Sequence, residues 1–150
     1  MKPDNPTQTA LYTLEQAIKA YRRLCQQNID RVAANLTVDQ ALTLVVLNKH
    51  PELSQQQLAE LVFKDKASLT RMLELLVQKN LVARALHASD RRKFSLTLTP
   101  QGQQLLEQLT ATIALNQQTA LQGLTETELT QFHATLQKII INCATPSLCV

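Results

Sequence analysis

Apolar residues recur near the start of the chain at three- and four-residue steps: Leu11, Leu14, Ile18, Tyr21 and Cys25. That spacing lines one face of an α-helix, so a long amphipathic helix is expected from about Thr9. Residues 1–8 are polar with two prolines and read as frayed. Thr37-Val38-Asp39-Gln40 has the form of a capping box, and a buried helix through Leu42, Leu44, Val45, Val46 and Leu47 follows, ending before Pro51. Ser54-Gln55-Gln56-Gln57 is a second capping box. It opens a short helix with Leu58, Leu61 and Val62 inward. Phe63-Lys64 makes a turn, and Asp65 is placed to cap the next helix, about Lys66 to Lys79. There Leu69, Met72, Leu73 and Leu76 form the inward stripe, leaving Ala67, Thr70, Arg71, Glu74 and Gln78 opposite and Ser68 at the flank.

The period then changes. Residues 81–86 and Phe94-Ser95-Leu96-Thr97-Leu98 read as two short strands around the loop His87-Ala88-Ser89-Asp90-Arg91-Arg92-Lys93. Thr99-Pro100 starts a helix carrying Leu105, Leu106, Leu109 and Ile113, which runs on, with a bend, to Leu121. Thr125-Glu126-Thr127-Glu128 is a third capping box, before Leu129, Phe132, Leu136, Ile139 and Ile140. The tail from Ala144, with Pro146, reads as loose. The fold class expected is mainly α with a small β wing: a winged helix-turn-helix with further helices at both ends.

Composition sharpens this picture. Only two glycines occur in 150 residues, which leaves little room for tight turns and favours helix. The net charge is +3, yet residues 64–93 hold eight Lys/Arg against three acidic residues. This one segment therefore carries more than the whole net charge, as a surface facing phosphates would. No apolar run is long enough to span a bilayer, and the first residues lack the apolar stretch of a signal peptide. A cytoplasmic protein without membrane attachment is expected.

In a helix-turn-helix the second helix enters the major groove and its first turns reach base edges. Here those turns offer Lys66, Ala67, Ser68, Thr70 and Arg71, with Ser54 at the start of the preceding helix. Arginine pairs with guanine in a bidentate way, Ser and Thr bond to several bases, and Ala meets a thymine methyl. The hairpin tip brings Arg91, Arg92 and Lys93 to the minor groove or backbone, with Asp90 bracing Arg92. A lone exposed arginine or a run of charge usually just faces water. A short capped helix, a basic second helix and a basic hairpin, in this order, together point to a surface that meets nucleic acid.

The stretch from Leu36 to Leu105 resembles the MarR family, the multiple-antibiotic-resistance regulators. The most specific segment is Asp90 through Gly102, which matches the family's wing pattern D-x-R followed by L-x-L-T-x-x-G. Gln55-Leu58-Ala59-Glu60-Leu61 and Ser68-Leu69-Thr70-Arg71-Met72-Leu73-Leu76-Lys79-Asn80-Leu81-Val82 match as well. The resemblance extends over about residues 9–142. It implies one domain over 1–150, with a winged-helix lobe at about 37–99 and dimerisation helices at about 9–33 and 100–142. It also implies a homodimer on palindromic double-stranded DNA, commonly a repressor, and a small phenolic or anionic ligand that releases it. Asn80 replaces the family's usual glycine after the recognition helix, and Phe63-Lys64 replaces the glycine-bearing turn before it.

Candidate ligand residues are Tyr12, Tyr21, Arg22, Arg23 and His50. Each also fits an ordinary role: Tyr21 as core, the arginines as a solvated face, His50 as a helix end. Thiol-based oxidant sensing is the alternative signal, through Cys25, Cys143 and Cys149. Cys25 nevertheless sits on the apolar stripe, where a buried, inert thiol is the default. A winged-helix protein-interaction module without DNA is the other alternative. The histidines and cysteines form no metal-binding spacing, and no nucleophile motif, phosphate loop or paired carboxylates occur. Neither an enzyme nor a cofactor is therefore expected.

Overall fold

The computed structural model describes residues 5–86, 89 and 94–144. They form six helices and two strands: α1 (Ala10–Asp30), α2 (Val38–Lys49), α3 (Gln55–Leu61), α4 (Lys66–Gln78), β1 (Val82–Leu86), β2 (Phe94–Leu98), α5 (Pro100–Ala120) and α6 (Glu126–Ala144). The chain divides into two compact units, residues 1–116 and 117–150.

Local chemistry sets most boundaries. Thr37 and Gln40 exchange hydrogen bonds with each other's backbone at the start of α2, and Ser54 and Gln57 do so at α3. At α6 the Glu128 carboxylate accepts from the Thr125 amide, while the Thr125 hydroxyl accepts from the Glu128 amide. All three capping boxes expected from the sequence are present. The expected frayed start is partly ordered: Pro6–Gln8 make a 3-10 turn, because the Asn5 side chain accepts from the Thr7 amide at 3.0 Å. Residues 1–4 lie outside the described residues.

The core of the first unit centres on Leu44, Leu58, Leu69, Leu73, Leu76, Leu109, Val62 and Val82. Burying each such side chain contributes about 1.5–3 kcal/mol. The stripe expected on α4 is buried in full, with Leu69, Leu73 and Leu76 at 0% exposure. Leu61 departs from expectation, being 47% exposed while Ala59 is buried in its place. At 100° per residue, Leu58, Ala59 and Val62 share one arc of about 100°, and Leu61 falls some 60° outside it. Strands β1 and β2 pair antiparallel, with Val82 opposite Leu98 and Arg84 opposite Leu96. Val82 and Leu96 pin this ribbon to the core.

The strand-to-helix corner after β2 depends on Gly102. The Thr99 amide donates to the Leu81 carbonyl at 3.1 Å, and the Gly102 amide donates to the Thr99 hydroxyl at 3.0 Å. This draws the first turn of α5 onto the Leu81 backbone, where any Cβ at position 102 would collide with the Leu81 carbonyl oxygen. Neither backbone segment can retreat without breaking those bonds. Gly102→Ala is expected to destabilise the fold by about 1–3 kcal/mol, as overpacking does. A denaturant midpoint unchanged from the parent would refute this account of the corner.

Candidate nucleic-acid interface

Two cooperating devices launch α4. The first is the end of α3, where the Phe63 amide donates to the Glu60 carbonyl and the Lys64 amide to the Ala59 carbonyl. This is a Schellman closure, which places Phe63 in the left-handed region at φ 59°. Glycine is the usual residue there, since a side chain is strained in that conformation. Phe63 gains no burial in return, being 83% exposed. The second device is Asp65, whose carboxylate accepts from the Ser68 amide at 2.7 Å and caps α4. The far end closes in the same way as α3, with Asn80 left-handed at φ 57° and the Leu81 amide donating to the Leu76 carbonyl.

The result is a helix held by one face and offered by the other. Lys66, Ala67 and Arg71 are exposed, and Ser68 and Thr70 are half-buried. The Arg71 guanidinium donates to the Ser68 hydroxyl at 3.3 Å, and the Thr70 hydroxyl donates to the Lys66 carbonyl at 2.9 Å. Five of the sequence-derived contact residues thus share the first two turns of α4. Ser54 stands at the start of α3, exposed, with its hydroxyl accepting from the Gln57 amide. Asp90, Arg91, Arg92 and Lys93 lie outside the described residues.

The basic segment is not uniformly available. Lys79 reaches back to the Asn35 carbonyl and the Gln40 side chain, tying the end of α4 to the start of α2. Lys64 pairs with Asp39 at 2.7 Å. Lys66, Arg71 and Arg84 are exposed and form no ion pair with a carboxylate among the described residues. Sequence reasoning counts all eight cations alike, because the partners of Lys64 and Lys79 are distant in the chain.

Asp39 also accepts from Arg22 of α1 at 2.6 Å. Partial burial pushes its carboxyl pKa up, but hydrogen bonds from Lys64 and Arg22 and their positive charges outweigh this and hold it below the ordinary value. From sequence, Asp39 reads only as part of a cap. Of the candidate ligand residues, Arg22 and Arg23 line a groove of about 430 Å³ with Lys19, Gln26 and Asp39. Tyr12 is exposed, and His50 sits exposed at the end of α2, 3.5 Å from Glu52. Tyr21 is half-buried, and burial together with the neighbouring Cys25 raises its pKa. Cys25 is buried and Cys143 is exposed on α6, while Cys149 lies outside the described residues. No described helix is long and apolar enough to cross a membrane.

Residues 34–93 match the family model described as MarR family. Among solved structures, the chain is similar to Bordetella bronchiseptica BpsR, described in a study of the regulation of its DNA binding by 6-hydroxynicotinic acid. They share 26% identity over 91% of this chain and 96% of that one, with a TM-score of 0.80. A probable transcriptional regulator from Pseudomonas aeruginosa is 25% identical over 90% of this chain and 99% of its own, with a TM-score of 0.78. MepR of S. aureus, solved in complex with DNA, shares the fold at 24% identity and a TM-score of 0.82, covering 93% of this chain and 99% of its own.

The Asp65 cap gives a direct test of how α4 begins. Its pKa is lowered chiefly by the Ser68 backbone hydrogen bond. A depressed carboxyl pKa means that the contribution to stability is present above the unfolded value, near 3.9, and is lost as pH falls through the folded value. The NMR shift of the Ser68 amide should therefore titrate with a midpoint below about 3.9. Asp65→Asn should abolish that transition. A midpoint at or above the unfolded value would contradict the cap.

Proposed function

Because residues 34–93 match the MarR family model and the fold is similar to that of BpsR, we propose that this chain is a winged-helix protein of the MarR family: a sequence-specific, DNA-binding transcriptional regulator, acting as a homodimer on a palindromic operator and not as an enzyme. The observation that carries this reading is the first two turns of α4. They present Lys66, Ala67, Ser68, Thr70 and Arg71 on a helix whose opposite face is fully packed. In the major groove Arg71 reads guanine, while Ser68 and Thr70 serve as adaptable hydrogen-bond partners. Lys66 and Arg84, with Arg91, Arg92 and Lys93 of the hairpin loop, meet phosphates or the minor groove.

The apolar faces of the terminal helices support the dimer. Leu11 and Ile18 on α1 are 61% and 51% exposed, and Phe132, Ile140 and Ile141 on α6 are 49%, 66% and 64% exposed. Large apolar side chains left exposed on a helix favour association, and a two-fold dimer repeats one reading head for each half-site. Regulation is repression relieved by a small phenolic or anionic ligand. The groove beside Arg22 and Arg23 suits the anionic end of such a molecule, and BpsR, whose DNA binding is regulated by 6-hydroxynicotinic acid, supports a ligand of this kind.

Selection of bound DNA from a random pool, under reducing and oxidising conditions, is the direct test and should return a palindrome. On that site Arg71→Ala should weaken binding by about 1–3 kcal/mol and relax preference at one base position. Arg92→Ala should weaken binding with little change in base preference and reduce the salt slope by about 1. Binding by both variants equal to that of the parent, at fixed salt, would overturn the assignment.

Removal of residues 125–150 should abolish the dimer in sedimentation measurements and leave an aggregation-prone chain. A well-folded monomer that still binds the operator tightly would rule out the terminal helices as the dimer interface.

A further inference from the structure

We infer that Asp39 is a positioning residue for DNA recognition: a two-armed clamp that ties α1 to the turn launching α4. The inference rests on the DNA-binding reading above and assigns a role to a residue outside the contact surface. The Asp39 carboxylate uses one oxygen for each arm. Oδ1 accepts from the Arg22 guanidinium at 2.6 Å, and Oδ2 meets the Lys64 ammonium at 2.7 Å. Both are short, charge-assisted contacts. Arg22 and Lys64 are 42 positions apart in the chain, and among the described residues Asp39 is the group that holds both.

Position gives the clamp its consequence. Asp39 lies in the first turn of α2, a helix fixed from below by the buried Ala41, Thr43, Leu44 and Leu47. Its backbone is also fastened, since the Thr43 hydroxyl donates to the Asp39 carbonyl at 2.8 Å. The carboxylate therefore extends from a rigid base. Arg22 lies one turn beyond Ile18, which belongs to the apolar face assigned to the dimer. Lys64 follows Phe63, whose left-handed backbone makes the closure of α3 less secure than glycine would. It also precedes Asp65, the cap of α4. A turn with strain on one side and the reading helix on the other gains most from an outside tether. The tether ends on the dimer helix, so a tilt of α1 relative to α2 must strain or break one arm of the clamp. Such a tilt would reach the start of α4 although no residue of α1 belongs to the proposed contact surface.

The test uses the full-length dimer and two independent readouts. The first is amide hydrogen exchange of the free protein. Asp39→Asn should speed exchange across residues 63–68 about fivefold, the scale of two partly exposed ion pairs, while leaving β2 unchanged. Arg22→Gln should produce part of the same effect at residues 63–68, and should produce none in an Asp39→Asn background. The second readout is affinity for operators whose half-site spacing is altered by one base pair. Wild type should discriminate sharply, because the two heads must match successive grooves roughly 34 Å apart. Asp39→Asn should lose part of that discrimination, and Asp39→Glu should restore some of it.

A residue with a merely structural role would lower affinity equally at every spacing. That result, or an Arg22→Gln variant whose turn exchanges at the parental rate, would overturn the clamp. Failure of the wild type to prefer any DNA sequence would instead refute the DNA-binding reading, and the exchange measurement would still decide whether the tether exists.

Discussion

Four side chains on one face of α4, Leu69, Met72, Leu73 and Leu76, are driven out of water together. A helix can bury one stripe at a time, so this packing commits the opposite face to solvent. Nothing about Ala67, Ser68, Thr70 or Arg71 needs to hold them outward beyond the burial of their neighbours. The same stripe fixes the rotation of the helix about its own axis, since turning it by one residue would bring a charge into the core and put a leucine in water. The proposed reading surface is thus a by-product of the hydrophobic core, and the closures at Asp65 and Asn80 decide only where that surface begins and ends.

Polar groups at the edges of this core are satisfied, as burial requires. Thr43, fully buried, donates to the Asp39 carbonyl, and the buried Gln40 accepts from Lys79 while closing the cap of α2. Asn116, 2% exposed, accepts from Asn28 at 2.6 Å. No buried side-chain nitrogen or oxygen among the described residues lacks a hydrogen-bond partner. These contacts join α1, α2, α4 and α5 at defined points. They add geometric specification to a leucine-rich core that on its own would tolerate sliding.

The parts of this molecule legible in the sequence are those with local causes. Capping boxes span four residues, so Thr37, Ser54 and Thr125 announce the starts of α2, α3 and α6. The α4 stripe needs only the 3.6-residue period. Misreadings arise where cause and effect are far apart or where the element is short. Leu61 reads as inward because a seven-residue helix offers too few apolar positions to fix its buried arc. The partners of Lys64 and Lys79 lie 25 and 39 or more positions away, so no local pattern distinguishes these cations from Lys66 or Arg71. Phe63 at the turn is recognisable as a departure from glycine. That it closes the same hydrogen-bond motif at φ 59°, with its ring in water, is not.

The distribution of charge follows from this division of labour. A net charge of +3 is small for a protein proposed to approach a polyanion, but the operative quantity is the local field, not the total. Lys64 is paired with Asp39, and Lys79 is hydrogen-bonded to neutral acceptors, the Asn35 carbonyl and the Gln40 side chain, so both act as struts: one braces the start of α4, the other its end. What remains outward is concentrated at the first turns of α4 and on β1, where Lys66, Arg71 and Arg84 form no ion pair within 4.0 Å among the described residues. Phosphate attraction is non-specific and weakens with salt, so extra surface cations would raise binding to every sequence alike. Committing two lysines to internal geometry instead strengthens the element proposed to discriminate between sequences. On the proposed DNA-binding reading, orientation of α4, more than total charge, sets selectivity.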